Sequence, residues 1–284
     1  MSKKVKDMRR VKGISPMTTV VPFIMVNRTG AMNLLEDSIE IEKIEEYMRE
    51  KRAEGMTNLS LMHIFIASYV RLVSQRPQVN RFIRGQRIWT RKSVEIALTI
   101  KKEMNLESPD TVVKITVQPD ATLKDVYNAL NTEIENYRND PGGDFDNTAK
   151  AFTHLPSLLF KFAVHFIKTL DYFNLIPKFL TGVSPFHCSY FITSMGSLGI
   201  PSIYHHLYDF GTCPIFFAFG AKKRVYELDE NGMVHKRTYV DYKYVLDERI
   251  CDGYYYASSL RLWKNILKNP WQLDEVPTVI DDID

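Results

Sequence analysis

The feature that most constrains this fold is a helix-forming stretch that is apolar on nearly every side. It is preceded by Asn58 or Ser60 as a capping residue, runs to about Val73, and carries Leu61, Ile64, Phe65, Ala67, Tyr69 and Leu72. A helix with no polar stripe has to be covered by other elements all round. We therefore expect it at the centre of the molecule, with His63 as a hydrogen-bonded core histidine rather than a ligand.

Strand-like runs are interleaved with helical ones and become frequent late in the chain. The β-rich runs are 18–27, 81–90, 93–100, 111–117, 188–193, 214–219 and 234–246, and helical patterns cover 38–53 and 121–137. Gly85-Gln86 and Glu230-Asn231-Gly232 mark hairpin turns. This alternation predicts a single α/β domain over residues 1–284, a two-layer sandwich with a mixed β-sheet.

Charge and cysteine content exclude several classes of protein. The net charge of +3 is too small to indicate a nucleic-acid partner. Cys188, Cys213 and Cys251 lack CxxC spacing, which favours reduced thiols, a cytoplasmic protein and no metal site. We expect a basic N-terminal tail (about 1–12) and an acidic C-terminal tail (about 272–284) to be exposed.

The most membrane-like stretch runs from Leu155 to Leu180. Lys161, Lys168 and Asp171 interrupt it, so it is not a transmembrane span. It is expected to lie on a surface, either that of a membrane or that of a partner subunit. Of the two, the partner subunit is the stronger expectation.

Three motifs follow one another along the chain. They are the apolar helix with Arg76-Pro77-Gln78-Val79-Asn80 behind it, the run Phe191-Ile192-Thr193-Ser194 with a glycine-bearing loop, and Asp247-Glu248-Arg249-Ile250-Cys251-Asp252-Gly253. Together they resemble the catalytic domain of the 2-oxo acid dehydrogenase dihydrolipoyl acyltransferases, in a superfamily with chloramphenicol acetyltransferase. The third motif resembles that family's Asp-His-Arg-x-x-Asp-Gly signature. The likeness covers roughly residues 5–270 and includes no lipoyl domain.

The resemblance implies the chloramphenicol acetyltransferase-like fold of CoA-dependent acyltransferases. It also implies a homotrimer whose sites lie between subunits and take coenzyme A, as acyl-CoA, and a small-molecule acceptor. In such a site a histidine removes a proton, a hydroxyl from the facing subunit stabilises the oxyanion, and an aspartate maintains local structure through an arginine. By this resemblance the oxyanion-stabilising hydroxyl is that of Thr193, with Ser194 beside it. The structural aspartate and the glycine after it are Asp252 and Gly253. The arginine partner is Arg10 or Arg249.

The signature histidine is replaced by Glu248. A carboxylate with a pKa of about 4.3 is poorly matched to a thiol with a pKa of about 8.5, and burial would have to raise it to roughly 6–7. Two hypotheses stay open. In one, Glu248 is the base of an active acyltransferase with an altered acceptor, such as an amine or alcohol. In the other, the chain is an inactive paralogue that forms a binding or structural trimer.

Another histidine could supply the missing base. His205 and His206 follow the glycine-bearing loop, and Asp209 could orient one of them. As a hypothesis they line the channel and share proton transfer. An exposed or stacked pair of loop histidines is the simpler interpretation.

Overall fold

A computed structural model describes residues 7–101, 110–139 and 156–282 of the 284-residue chain. Its main element is a six-stranded sheet with the order β2-β9-β8-β7-β5-β6. Strand β7 is parallel to both of its neighbours and the other pairs are antiparallel, so the sheet is mixed as predicted. The strands are β2 (Met32–Glu40), β5 (Val94–Lys101), β6 (Asp110–Val117), β7 (Tyr190–Ser194), β8 (Ile215–Leu228) and β9 (Val234–Asp247).

A second sheet of three short strands lies beside the first. Its order is β1 (Met8–Arg10), β4 (Arg87–Arg91) and β3 (Arg81–Arg84). The predicted hairpin at Gly85-Gln86 is confirmed, and both turn residues have positive φ. Because Met8–Arg10 pair with β4, this part of the N-terminal segment is a strand rather than a free tail. Residues 1–6 lie outside the described residues.

The α-helices among the described residues are α1 (Pro16–Ile24), α2 (Glu42–Ala53), α3 (Leu61–Gln75), α4 (Leu123–Asn139), α5 (Ser157–Tyr172), α6 (Lys178–Val183) and α7 (Gly253–Lys268). Helices α1, α3 and α7 begin at a capping side chain. The prediction of a strand over 18–27 was wrong. Ser15 accepts a hydrogen bond from the Thr18 amide and proline occupies the first helical position, which together start a helix despite the β-branched run.

The core lies between one face of the main sheet and the helices α2, α3, α4 and α7. At its centre the Trp263 ring of α7 contacts Phe65 of α3 and Phe217 of β8, and its indole nitrogen donates to Ser68. His63 is buried, and the Ser60 amide donates to its Nδ1 over 3.1 Å. The predicted central helix and its core histidine are both confirmed, as is the two-layer α/β fold.

The opposite face of the sheet is covered more thinly. A small cluster of buried side chains lies there: Ala97, Cys188, Phe191, Leu207, Cys213, Phe216 and Val245. Much of its cover is the connection 199–214 between β7 and β8, which contributes Leu207 and Cys213. Of the residues predicted to be functional, Thr193 and Ser194 end β7 and Glu248 follows β9, whereas Arg10 lies on the three-stranded sheet.

The C-terminal segment is partly buried, which corrects the prediction of an exposed acidic tail. Asp282 is only 7% exposed, and its carboxylate accepts hydrogen bonds of 2.7 and 2.6 Å from Arg81. The Ile280 amide donates to the carbonyl of Ser74 at the end of α3. Residues 275–282 therefore form a strap that is fixed to the body by one buried ion pair and by backbone hydrogen bonds. Among the described residues no helix is long and apolar enough to cross a bilayer.

Candidate functional site

The signature segment begins with a buried ion pair. Strand β9 ends at Asp247, whose carboxylate is fully buried and accepts hydrogen bonds from Nε and NH2 of Arg249, both 2.7 Å long. The Asp247 amide donates to the carbonyl of Pro214 at the start of β8. Two parallel bonds between a guanidinium and a carboxylate fix the relative orientation of both groups. The turn that carries Glu248 is thus rigidly held between β8 and the following helix.

A second arginine, Arg28, completes this buried cluster. Its Nε lies 3.4 Å from Asp247, and its other nitrogens donate to the carbonyls of Tyr208, Gly211 and Ile83. Burial lowers the pKa of Arg28, and the Asp247 carboxylate opposes that effect. Arg249 also donates to the carbonyls of Met25 and Val26 at the end of α1. The cluster therefore ties α1 and the 199–214 connection to the signature turn.

Glu248 lies at the rim of this cluster. Its amide donates to the carbonyl of Ala31 over 2.9 Å, which pins the backbone of the turn to the start of β2. Its side chain is half-buried and forms no hydrogen bond or ion pair with another described residue. A carboxylate so placed is available to a ligand or to a facing subunit.

Asp252 has a different role from the predicted one. It is exposed, and its carboxylate caps α7 by accepting a hydrogen bond of 2.9 Å from the amide of Tyr255. The prediction of an arginine partner for it is corrected: Arg249 bonds to Asp247, and Arg10 lies exposed on β1. Gly253 is the first residue of α7. Since Asp247 already neutralises Arg249, Asp252 is free to cap the helix.

Thr193 and Ser194 lie several residues along the sheet from Glu248. Thr193 of β7 pairs with Ala218, which pairs with Lys243 of β9. Glu248 follows Lys243 by five positions, so about 16 Å separates Thr193 from Glu248 along the strands at ~3.3 Å per residue. Thr193 is 8% exposed, and the carbonyl of Ser194 accepts a hydrogen bond from Ser197. The two predicted catalytic residues therefore do not meet within one chain.

The glycine-bearing loop after β7 is packed backbone against backbone. A Cβ atom on Gly196 would lie 2.7 Å from the carbonyl oxygen of Gly220, and one on Gly220 would lie 2.6 Å from the amide of Ser202. These distances are too short for any side chain larger than hydrogen. The close approach of this loop to β8 therefore accounts for glycine at both positions, and no ligand is needed to explain them.

His205 is held on the thinly covered face of the sheet. Its ring stacks on Phe216, with centroids 4.4 Å apart and planes at 11°. Its Nε2 is buried and has no hydrogen-bond partner in the described part of the chain. Burial, and then the charge of His206, lower the pKa of His205, so the imidazole is neutral at pH 7. The unpaired Nε2 has the chemistry of a proton acceptor, but the atom is shielded from solvent in the isolated chain.

The other members of this loop do not support a relay. His206 is exposed. Asp209 accepts hydrogen bonds from the amide and hydroxyl of Thr29, so the prediction that it orients a histidine was wrong. Within residues 7–101, 110–139 and 156–282 no group of three or more His, Cys, Asp or Glu side chains is arranged to hold a metal ion.

The sequence analysis assigned no role to Arg28 or to Asp247, although Asp247 opens the third motif. Arg28 follows α1 and lies in no motif, and Asp247 precedes the position where the signature histidine is expected. The available signal was the charge pattern Asp247-Glu248-Arg249 directly after an apolar strand, which predicts that one of these charges is buried and paired.

Comparison with solved structures identifies the fold. A probable dihydrolipoamide acetyltransferase from Listeria monocytogenes aligns over 92% of this chain and 94% of its own, with a TM-score of 0.54 and 12% identity. Chloramphenicol acetyltransferase aligns over 92% and 99%, with a TM-score of 0.53 and 9% identity. The chain has the CoA-dependent acyltransferase fold.

A further similar structure is the dihydrolipoamide acetyltransferase of Azotobacter vinelandii, with a TM-score of 0.54, 12% identity and coverage of 93% and 94%. A scan against protein-family models and a search of curated proteins gave no match. The likeness to the acyltransferases therefore rests on three-dimensional structure, together with the motif resemblance noted above.

Proposed function

We propose that this protein transfers an acyl group from coenzyme A to a hydroxyl or amine acceptor, at a site completed by two copies of the chain. The observation that carries the proposal is the separation of Thr193 and Glu248 along the same sheet, by five strand positions. The two residues do not meet within one chain, and in the proposed assembly each would meet the other across an interface between copies. A homotrimer of the kind implied by the motif resemblance would supply that interface.

The chemistry follows from the groups present. A base takes the proton of the acceptor, the acceptor's oxygen or nitrogen attacks the thioester carbonyl, and the carbon–sulfur bond then breaks. The proton returns to the sulfur of the departing coenzyme A. Thr193 would donate its hydroxyl proton to the oxyanion of the tetrahedral intermediate, which is the kind of stabilisation worth about 10²–10³ in rate.

Two groups are candidates for the base, and they differ in their chemistry. Glu248 is the residue at the signature position, and it is half-buried and held on a rigid turn. His205 is neutral at pH 7 and has an unpaired Nε2. An imidazole base suits a thiol or alcohol, because its pKa lies close to neutrality.

The second candidate function is a non-catalytic binding or structural trimer. The replacement of the signature histidine by Glu248 favours it, since the remaining signature residues also serve the fold. Arg249 and Asp247 stabilise the turn, and Asp252 caps a helix. Such a trimer would need none of them for chemistry.

Release of coenzyme A from acetyl- and longer acyl-CoA, with alcohol and amine acceptors, separates these functions. Active transfer predicts turnover by the wild type and a loss of about 10²-fold or more in Thr193→Val and in the variant of the true base, Glu248→Gln or His205→Gln. Glu230→Gln, an exposed glutamate at a hairpin turn, is the matched control and should leave the rate unchanged.

The binding function predicts background rates for the wild type and all of these variants. If only the Glu248→His variant turned over, the natural protein would have kept the geometry of an acyltransferase site and lost its catalytic base. Calorimetric titration with acetyl-CoA measures binding separately from turnover. The acyltransferase function requires binding of acetyl-CoA or a longer acyl-CoA, and a purely structural trimer does not.

A further inference from the structure

Helix α5 is a 16-residue helix that packs little against the part of the chain that the structure describes. Asp171 is its one buried residue among the described side chains. Large apolar side chains stand in solvent on its outer side, with Leu158 79% and Phe162 70% exposed. Leu159 and Phe166 extend this apolar stripe, since residues at i, i+3, i+4 and i+7 share one helix face. The stripe exceeds what a solvated helix normally presents.

The charges along this part of the chain all have one sign at the surface. Between residues 156 and 187 the single acidic residue is Asp171, which is buried 3.1 Å from Arg84 Nε. Lys161 and Lys168 lie on the same side of the helix as each other, exposed, beside the apolar stripe. They form no ion pair with any described residue. An apolar stripe bordered by lysines is typical of helices that lie in a lipid–water interface.

A second exposed apolar helix lies near the end of α5. The Tyr172 hydroxyl donates to the side-chain oxygen of Gln86 over 2.7 Å at the tip of the β3–β4 hairpin. Gln86 in turn lines a cavity with Phe23 of α1. Met17 and Ile24 of α1 are 72% and 71% exposed. The hairpin tip therefore joins two helices that both present apolar side chains to solvent.

We infer that α5, assisted by α1, docks this protein on the surface of an anionic lipid bilayer. The Leu158, Leu159, Phe162 and Phe166 side chains would enter the interface, and Lys161 and Lys168 would meet lipid phosphates. The unpaired exposed lysines favour an anionic lipid surface over a two-fold contact between copies of this face, because such a contact would bring lysines together. Asp171 and Arg84 anchor the helix, so docking positions the whole domain. This inference is independent of acyl transfer.

Vesicle co-sedimentation of the full chain tests this proposal. The wild type should sediment with vesicles of phosphatidylcholine and phosphatidylglycerol, and less with phosphatidylcholine alone. The double variant Phe162→Asp and Phe166→Asp should lose binding. The double variant Lys161→Glu and Lys168→Glu should weaken binding to the anionic vesicles by at least about tenfold, given ~1 kcal/mol per basic residue at such a surface.

The matched control is Leu228→Asp with Val234→Asp, two comparably exposed apolar residues paired on the distant β8–β9 hairpin. This variant should bind vesicles as the wild type does. Sizing-column profiles without lipid are recorded for every variant. Absence of wild-type binding to anionic vesicles would overturn the proposal. So would a change of oligomeric state in the Phe162→Asp and Phe166→Asp variant, because that would assign the face to a second copy.

Discussion

The Asp247 carboxylate accepts two hydrogen bonds of 2.7 Å from the Arg249 guanidinium, in a pair that is almost fully removed from solvent. The pair lies on either side of Glu248, so it determines where that side chain is presented. Arg28 approaches the same carboxylate from the end of α1. One buried carboxylate thus holds together α1, the end of β9 and the turn before α7.

Breaking this pair should destabilise the fold strongly. Replacing Arg249 with Met leaves the buried Asp247 carboxylate with the more distant Arg28 as its charged partner and with the amide of residue 249, and losing one partner of a buried pair costs about 3–5 kcal/mol. Urea unfolding followed by Trp fluorescence would measure it. Lys223→Met, which removes an exposed ion pair with Asp241, serves as the control and should cost under about 1 kcal/mol. Equal effects of the two substitutions would contradict the assignment.

Asp252 should behave as a helix cap. Asp252→Ala removes the acceptor for the Tyr255 amide and should cost about 1 kcal/mol, whereas Asp252→Ser retains a capping oxygen and should recover most of the loss. Thermal unfolding of the three proteins tests this. A loss several times larger that Ser does not restore would instead indicate a buried partner for Asp252.

Stability should decrease in mild acid because of His63. Burial lowers the pKa of His63 to about 4, while its value in the unfolded chain is near 6.5. The unfolded state therefore binds more protons as the pH falls from 6.5 to 4, and folding becomes less favourable by up to about 3 kcal/mol over that window. Above pH 6.5 the group makes no pH-dependent contribution.

Comparing wild type with His63→Gln isolates this effect. The free energy of unfolding is measured at pH 7 and pH 5, where other histidines contribute alike to both proteins. The wild type should lose more stability between the two pH values than the variant does. An identical pH dependence, or an NMR titration of His63 near its ordinary pKa, would refute the prediction.

The C-terminal strap should open locally when Asp282 is changed. Asp282→Asn weakens the two charge-assisted bonds to Arg81, while the hydrogen bonds from Arg71 to the Glu275 carbonyl and from Gln75 to the Thr278 carbonyl stay intact. Hydrogen exchange of the Ile280 amide, which donates to Ser74, should accelerate by at least about tenfold, while exchange in α3 changes little. Asp281→Asn is the control, since that side chain is exposed. Unchanged exchange at Ile280 would show that the ion pair does not hold the strap.

Much of this protein could be predicted from local patterns. The apolar pattern from Leu61 to Val73 required a buried helix, because no side of that helix can face water. The glycine-bearing turn sequences at Gly85-Gln86 and Gly232 marked both hairpins, and Gly85, Gln86 and Gly232 have the positive φ that such turns require. The order of three motifs indicated the acyltransferase fold, and the replacement of histidine by Glu248 was visible directly. Each of these depends on residues that are neighbours in the sequence.

Only the tertiary structure decided which charged groups are paired. Arg28 and Asp247 are 219 positions apart, and Asp282 reaches Arg81 across 201 positions. Several arginines compete for each carboxylate, and the choice depends on which chain segments burial brings together. The separation of Thr193 from Glu248, and the stacking of His205 on Phe216, likewise follow from strand order. The sequence determined the helices, the hairpins and the replacement of the signature histidine by Glu248. The ion-pair partners around the signature turn were determined by which charges from distant segments become buried together.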